Sequence, residues 1–282
     1  DIGQLKEKLN NFENKIGAVL LTHYNVNNSE LKEISNICKT NKIVLIEDCA
    51  ISIASKFNND YVGKFGDFSI FSFGLYKFIN VLSGGMVFSK DKEFYDFVIE
   101  KEKNWKEVKI YNLYKLIIKS FIIRLMTSLF IFNFIFPVIK YSYKKNIKII
   151  NKFLINDPNP HRKEIFPKNY EFKLSQTQIN DIIFQFKNLQ NQRSLREENY
   201  KTYSENIRNK KIIFFHNELN LLNDNAYLNF PIIVEDKNNF INYMLDNKID
   251  LNPQFYRSVN ELSFLSEYSN GTKKIQESVS KL

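Results

Sequence analysis

Four short apolar runs, set among helix-patterned segments, constrain this chain more than any other feature. Ala18 to His23 and Lys42 to Asp48 are near-continuous apolar runs suited to strands covered on both faces. Phe68 to Phe73 and Met86 to Phe88 supply two more strands. Between the first pair, Leu31, Ile34 and Ile37 fall at helical spacing behind Asn27-Asn28-Ser29, a ready N-cap. Asp91 to Lys103 reads as a further helix. Strands alternating with helices need crossover connections, so the pattern predicts an α/β fold with a mainly parallel sheet. Ligands of such sheets bind at the carboxyl ends of the strands. Asp48 stands at one such end, and Lys77 lies just past another.

The 282 residues suffice for one large domain or two modest ones, and 44% hydrophobic with 25% charged residues is ordinary for a folded chain. Eight glycines and six prolines argue against repeat or low-complexity architecture. Cys38 and Cys49 have no metal-site or framework spacing and fit a reducing, cytoplasmic compartment. The three histidines, His23, His161 and His216, show no metal spacing with acidic residues and read as structural. The start, Asp1 to Lys6, is polar and lacks both a secretory pattern and an initiator Met, and the end at Leu282 has no closing element. Truncation at both ends is therefore expected.

The net charge of +9 sits in one place. Residues 101–150 hold 11 Lys/Arg against 2 Asp/Glu, so the rest of the chain is balanced. That distribution removes the general argument for nucleic-acid binding, because the cluster is interleaved with aliphatics rather than with stacking aromatics on a polar groove. From Leu116 to Ile139 the chain is almost wholly apolar, broken by Lys119 and Arg124 and flanked by Lys115, Lys140, Lys144 and Lys145. The uncharged stretch Leu125 to Ile139 is 15 residues, shorter than the ~20 a spanning helix needs. It suits either a peripheral contact of residues 113–148 with the inner face of a membrane, or a buried hairpin or dimer contact. Beyond Phe166 the pattern turns ordinary again. A long helix is predicted over Ser175 to Arg208, a strand over Ala226 to Val234 and a helix over Asn238 to Asn247. The expected domains are residues 1–110, part of a large α/β domain; 111–165, an apolar basic insertion; and 166–282, the long helix with an incomplete, small α+β domain.

One lysine stands out for chemistry. Lys77 follows the strand Phe68 to Phe73 and precedes Gly84-Gly85, whose tight backbone can enter the next strand. In an apolar pocket an ammonium loses hydration, its pKa falls, and the amine can form a Schiff base with an aldehyde such as pyridoxal phosphate. Taken singly, Lys77 could be a solvated loop lysine, Asp48 a turn carboxylate and Ser72 a hydroxyl satisfying loop backbone.

Together Asp48, Ser72 and Lys77 resemble the cofactor set of the DegT/DnrJ/EryC1/StrS sugar aminotransferases. The resemblance runs through Ile46-Glu47-Asp48-Cys49-Ala50, Val62-Gly63-Lys64-Phe65-Gly66-Asp67, Phe71-Ser72-Phe73 and Lys77. It continues in Lys173-Leu174-Ser175-Gln176-Thr177-Gln178 and Asn229-Phe230-Pro231. It implies the aspartate-aminotransferase fold type I, three layers around a mainly parallel sheet, and pyridoxal 5′-phosphate as cofactor. Under it, Asp48 pairs with the pyridine nitrogen, Ser72 with the phosphate, and Lys77 carries the Schiff base and shuttles the proton. It further implies a homodimer, a nucleotide-linked keto-sugar substrate, an amino-acid donor (glutamate) and a place in polysaccharide or glycan synthesis. A lysine at 77, rather than the histidine of related dehydratases, points to transamination.

Three positions depart from the family pattern. Ile51 replaces a Gln or His, Phe78 replaces an Asn after the lysine, and Glu171 takes the place of an Asn offered to the partner's phosphate, unless Asn169 serves instead. The family's amino-terminal phosphate turn would precede Asp1, so the 282-residue chain alone is expected to bind the cofactor poorly. These departures keep an alternative open: a catalytically silent relative that scaffolds a membrane-associated glycan-synthesis complex.

Overall fold

The computed structural model describes residues 2–11, 16–24, 30–145, 170–214, 225–249 and 251. The chain divides into two units. The first comprises Asp1–Ile117, Glu171–Arg208 and His216–Phe230; the second comprises Ile118–Tyr170, Asn209–Phe215 and Pro231–Leu282.

The first unit opens with α1 (Ile2–Asn11), β1 (Ala18–Thr22), α2 (Leu31–Thr40) and β2 (Val44–Asp48). A small hairpin of β3 (Lys56–Phe57) and β4 (Asp60–Tyr61) follows, turning through Asn58 and Asn59, both at positive φ. Asparagine tolerates that region, which matches the twist of a two-residue hairpin loop. Then come β5 (Phe68–Ser72), β6 (Gly85–Ser89) and α3 (Lys92–Glu102). The sheet order is β1-β2-β5-β6, with β6 antiparallel and the other neighbours parallel. The mainly parallel sheet predicted from the alternation is therefore present.

Helix α2 places Leu31, Ile34 and Cys38 in the core, at the spacing of one helical face. Its N-cap is Glu30, without a side-chain cap bond, and Asn27 to Ser29 lie outside the described residues. Helix α3 is capped by Asp91, whose carboxylate accepts from the Glu93 and Phe94 amides. One face of the sheet carries the buried Leu45, Glu47, Ser69 and Phe71. On the opposite face Phe94 of α3 meets Phe68 edge-on, while Leu20, Val44, Ile70 and Val87 remain exposed. The apolar runs predicted cover on both faces; among the described residues full burial is confined to one face of β2 and β5, and Met86 and Phe88 of β6 on that same face stay exposed.

Strand β7 (Lys106–Glu107) pairs in parallel with β8 (Phe172–Lys173). Beyond it, α6 (Gln176–Lys187) and α7 (Leu189–Asn206) replace the single long helix predicted from Ser175. The break falls at Asn188, which leaves helical backbone angles while its side-chain amide donates to the Phe184 carbonyl. Asparagine competes for backbone groups in this way. The start is as predicted, with Ser175 and Gln178 forming a reciprocal capping box.

Helix α4 (Ile110–Met126) crosses from the first unit into the second, which continues with α5 (Leu129–Lys144). An antiparallel pair, β9 (Ile212–Phe214) and β10 (Ile232–Val234), and α8 (Lys237–Asp246) complete its described elements. The strand predicted over 226–234 is shortened to its last three residues, since Tyr227 adopts a positive φ that no strand accommodates. Phe136, Ile241 and Leu245 form the small core here, with Phe132 and Leu251 against it. Lys140 and Lys144 of α5 both pair with Asp246 of α8.

Candidate active site

Strands β2 and β5 are neighbours, with Asp48 opposite Ile70. Ser72 lies two residues further along, on the same face as Ile70, so Asp48 and Ser72 share one face at the carboxyl edge. Asp48 Oδ1 accepts the Ala50 amide at 3.0 Å. Among the described residues its other carboxylate oxygen takes no hydrogen bond. A Cβ on Gly74 would lie 3.9 Å from both Ser72 Oγ and Lys77 Cγ, so the hydroxyl and the lysine stem flank one spot.

Lys77 is half-buried, and its amine is pulled below the ordinary lysine range by burial, opposed by the negative charge of Asp48. The Lys77 amine therefore senses the Asp48 charge. The loop around Lys77 is anchored on the apolar side by Phe78, Ile79 and Val81, all buried. Its polar backbone is paired by α6. Gln185 accepts the Asn80 amide at 3.0 Å and donates to the Asn80 carbonyl at 2.9 Å. Gln178 donates to the Val81 carbonyl at 2.9 Å. The loop closes on itself through the Phe73 amide donating to Gly84 and the Val81 amide donating to Phe73. Gly84 adopts φ +94, and a side chain on Gly85 would press to 2.5 Å of the Phe71 carbonyl oxygen. Both glycines are needed to bring the loop back into β6.

Beneath the site lies a buried knot that residue spacing did not reveal. Glu47 is fully buried and His23 is 1% exposed. His23 Nε2 meets Glu47 Oε2 at 2.9 Å. The same carboxylate accepts the amides of Gly63, Phe65 and Gly66. Burial pushes the Glu47 carboxyl up, but the bonds from His23, Gly66 and Gly63 outweigh it and hold it below the usual carboxylate range. Cys49 Sγ joins His23 and Glu47 within a ligand-sized cluster. Its thiol is pushed up by burial and by the charges of Glu47 and Asp48, so it is held as a neutral thiol rather than a thiolate ligand. With four hydrogen bonds already on Glu47, the cluster reads as a structural clamp. His23 also joins the strand end directly, its amide donating to the Asp48 carbonyl at 2.9 Å. His161 and His216 lie outside the described residues.

Arg196 of α7 was likewise missed. Its guanidinium lies 4.8 Å from the ring centre of Phe78, the residue after Lys77, and burial lowers its pKa. Among the described residues it forms no ion pair. It opens on a cleft of about 160 Å³ lined also by Tyr200, Tyr203, Tyr227 and Asn229. Of the three departing positions, Ile51 is half-buried, Phe78 is core, and Glu171 is exposed. Asn169 lies outside the described residues.

The family model of the DegT/DnrJ/EryC1/StrS aminotransferase family matches residues 2–103. Asp48, Ser72 and Lys77 all fall inside that segment. Among curated relatives, GDP-perosamine synthase of Escherichia coli O157:H7 is 36% identical over 95 residues, which is 34% of this chain and 25% of the synthase. A UDP-4-amino-4,6-dideoxy-N-acetyl-beta-L-altrosamine transaminase of Campylobacter jejuni is 37% identical over 93 residues, 33% of this chain and 25% of the transaminase. Solved structures share the fold across nearly the whole chain. Helicobacter pylori PseC superposes with TM-score 0.62 at 18% identity, over 97% of this chain and 61% of its own. An E. coli GDP-4-keto-6-deoxy-D-mannose-3-dehydratase with bound hydrated PLP gives 0.64 at 16%, over 100% of this chain and 64% of its own. The matches thus cover a quarter of the curated relatives and under two thirds of the solved chains.

Proposed function

We propose that this chain carries the cofactor-holding part of a pyridoxal-phosphate-dependent aminotransferase. Its acceptor is a nucleotide-linked keto-sugar destined for polysaccharide or glycan synthesis. The observation that supports this best is the Lys77 amine, held on an apolar anchor, depressed by burial and sensing Asp48, inside the family-matched segment. The names of the relatives, a perosamine synthase and transaminases of amino sugars, supply the substrate class.

The residues present fit the cofactor. Asp48 has a carboxylate oxygen beyond its turn bond, and Ser72 Oγ makes no hydrogen bond among the described residues. When bound, pyridoxal phosphate supplies an electron sink for the pair left behind as an α-proton departs. Asp48 would hold the proton on the ring nitrogen by charge pairing, and Ser72 would donate to a phosphate oxygen. Lys77 would tether the cofactor; once released, Nζ would take the proton from the substrate's α-carbon and deliver it to the C4′ position of the cofactor. Burial favours the neutral amine this step needs. The glutamine pair on α6 keeps the loop, and hence Nζ, in place.

The same reading makes glutamate the amino donor, a second copy of the chain the completing subunit, and the cytoplasm the compartment, with residues 113–148 touching the membrane. Incubation with pyridoxal phosphate, borohydride reduction and peptide mapping tests the core of it. A pyridoxyl mass on the Lys77 peptide, absent in Lys77→Ala, is expected. Modification of some other lysine in both proteins would sink it.

A further inference from the structure

From Val108 to Lys145 the chain contains no acidic residue, while Lys109, Lys115, Lys119, Arg124, Lys140, Lys144 and Lys145 are all basic. Helix α4 buries none of its 17 residues. Ile118, Phe121, Ile122 and Leu125 are exposed large apolar side chains along it. On α5 the apolar residues divide by side. Phe132 and Phe136 turn toward Ile241 and Leu245. Phe130, Phe134, Val138 and Tyr141, at spacings of four, four and three, form an outer stripe, with Phe130 79% and Phe134 72% exposed. Water does not retain such a stripe without cost.

We infer that the segment from Ile110 to Lys145 lies in the headgroup region of an anionic membrane as a broken, in-plane pair of helices. This placement rests on the proposed membrane contact of residues 113–148 and needs nothing from the Lys77 chemistry. Charge selects the occupant. A second copy docked by the same surface would bring cation against cation with no acidic side chain from the segment to pair them. An anionic lipid surface answers both the apolar stripe and the surrounding cations. Length selects the mode. Among the described residues no single helix is long and apolar enough to cross a membrane, and α4 and α5 reach that length only together, across a bend of 95° that a straight span does not have. The helices part at Thr127 and Ser128, whose hydroxyls donate to the Ile123 and Leu125 carbonyls and close the end of α4. Lys140 and Lys144 are tied to Asp246, so part of the segment's charge is already met within the chain.

The whole 282-residue chain is floated with phosphatidylcholine vesicles, with and without phosphatidylglycerol, at low and high salt. Binding confined to the anionic vesicles and weakened by salt is expected. Lys115→Gln/Lys119→Gln/Arg124→Gln, and separately Phe130→Ser/Phe134→Ser, should each cut partitioning about tenfold or more, with far-ultraviolet circular dichroism unchanged. Equal binding to both vesicle types would overturn headgroup selection while leaving membrane contact standing. No flotation at all would overturn both. Dissociation of an oligomer by Phe130→Ser/Phe134→Ser, with flotation unaltered, would assign the stripe to a second copy instead. Pyridoxyl labelling of Lys77 is read on the same samples and separates any of these results from failure of the transaminase reading.

Discussion

The charge of Lys77 is set by burial and by Asp48 together. Burial draws the amine below its ordinary pKa, and the carboxylate restores part of the loss. Replacing Asp48 by Asn removes the restoring charge, so the Lys77 pKa should fall further. Competitive acylation of the cofactor-free protein across pH, read on the Lys77 peptide, measures this; an upward shift would contradict it. Glu47 offers a second prediction. Its carboxylate pairs the buried Gly63 amide, the half-buried Phe65 and Gly66 amides, and His23, and an unpaired buried group costs about 1–3 kcal/mol. Glu47→Ala should therefore lose about 3–5 kcal/mol, seen as a lower urea midpoint. Because the folded pKa is depressed, this stabilisation is complete above the unfolded value of about 4.3 and disappears as pH falls through the lower folded value. The places of Asp48 at the end of one strand, and of Ser72 and Lys77 at and just past the end of its neighbour, were legible from the apolar runs. Glu47 was not, since a carboxylate beside Asp48 looks like another surface acid until the strands pair and bring His23 and the Gly63–Gly66 turn around it.

The elements that hold the Lys77 loop lie about a hundred residues from it in sequence. Gln185 satisfies both backbone groups of Asn80, and Gln178 joins the capping box of α6 to the Val81 carbonyl. Gln185→Leu should cost about 1–3 kcal/mol, by leaving the Asn80 amide and carbonyl unpaired, and should speed hydrogen exchange at the Asn80 amide. Unchanged exchange would show the apolar anchors alone suffice. The capping box was legible as Ser175 followed by Gln178. The break at Asn188 was hidden because the apolar periodicity runs through it, while the local hydrogen bond that ends the helix leaves no periodic trace. The edge of β10 was hidden similarly, by one positive φ at Tyr227.

At the scale of the molecule, charge is partitioned rather than dispersed. In the second unit, Asp246 meets Lys140 and Lys144 and its carboxyl is lowered to about 2 by their hydrogen bonds. A depressed carboxyl stabilises above its unfolded pKa of about 3.9, and that contribution fades as pH falls through about 2. Hydrogen exchange along α8 should rise in that acid window, and Asp246→Asn should abolish the pH dependence. The sequence by itself determined the alternation of strand and helix, the place of Lys77 behind its strand, and the segregation of cations into one apolar stretch. Each is a local matter of side-chain period or composition. Tertiary structure alone decided which sheet face is covered, that Glu47 is saturated by His23 and three amides, and that Arg196 lies over Phe78. Those outcomes depend on partners brought together by chain crossing, and hydrogen-bond pairing between distant residues has no period to read.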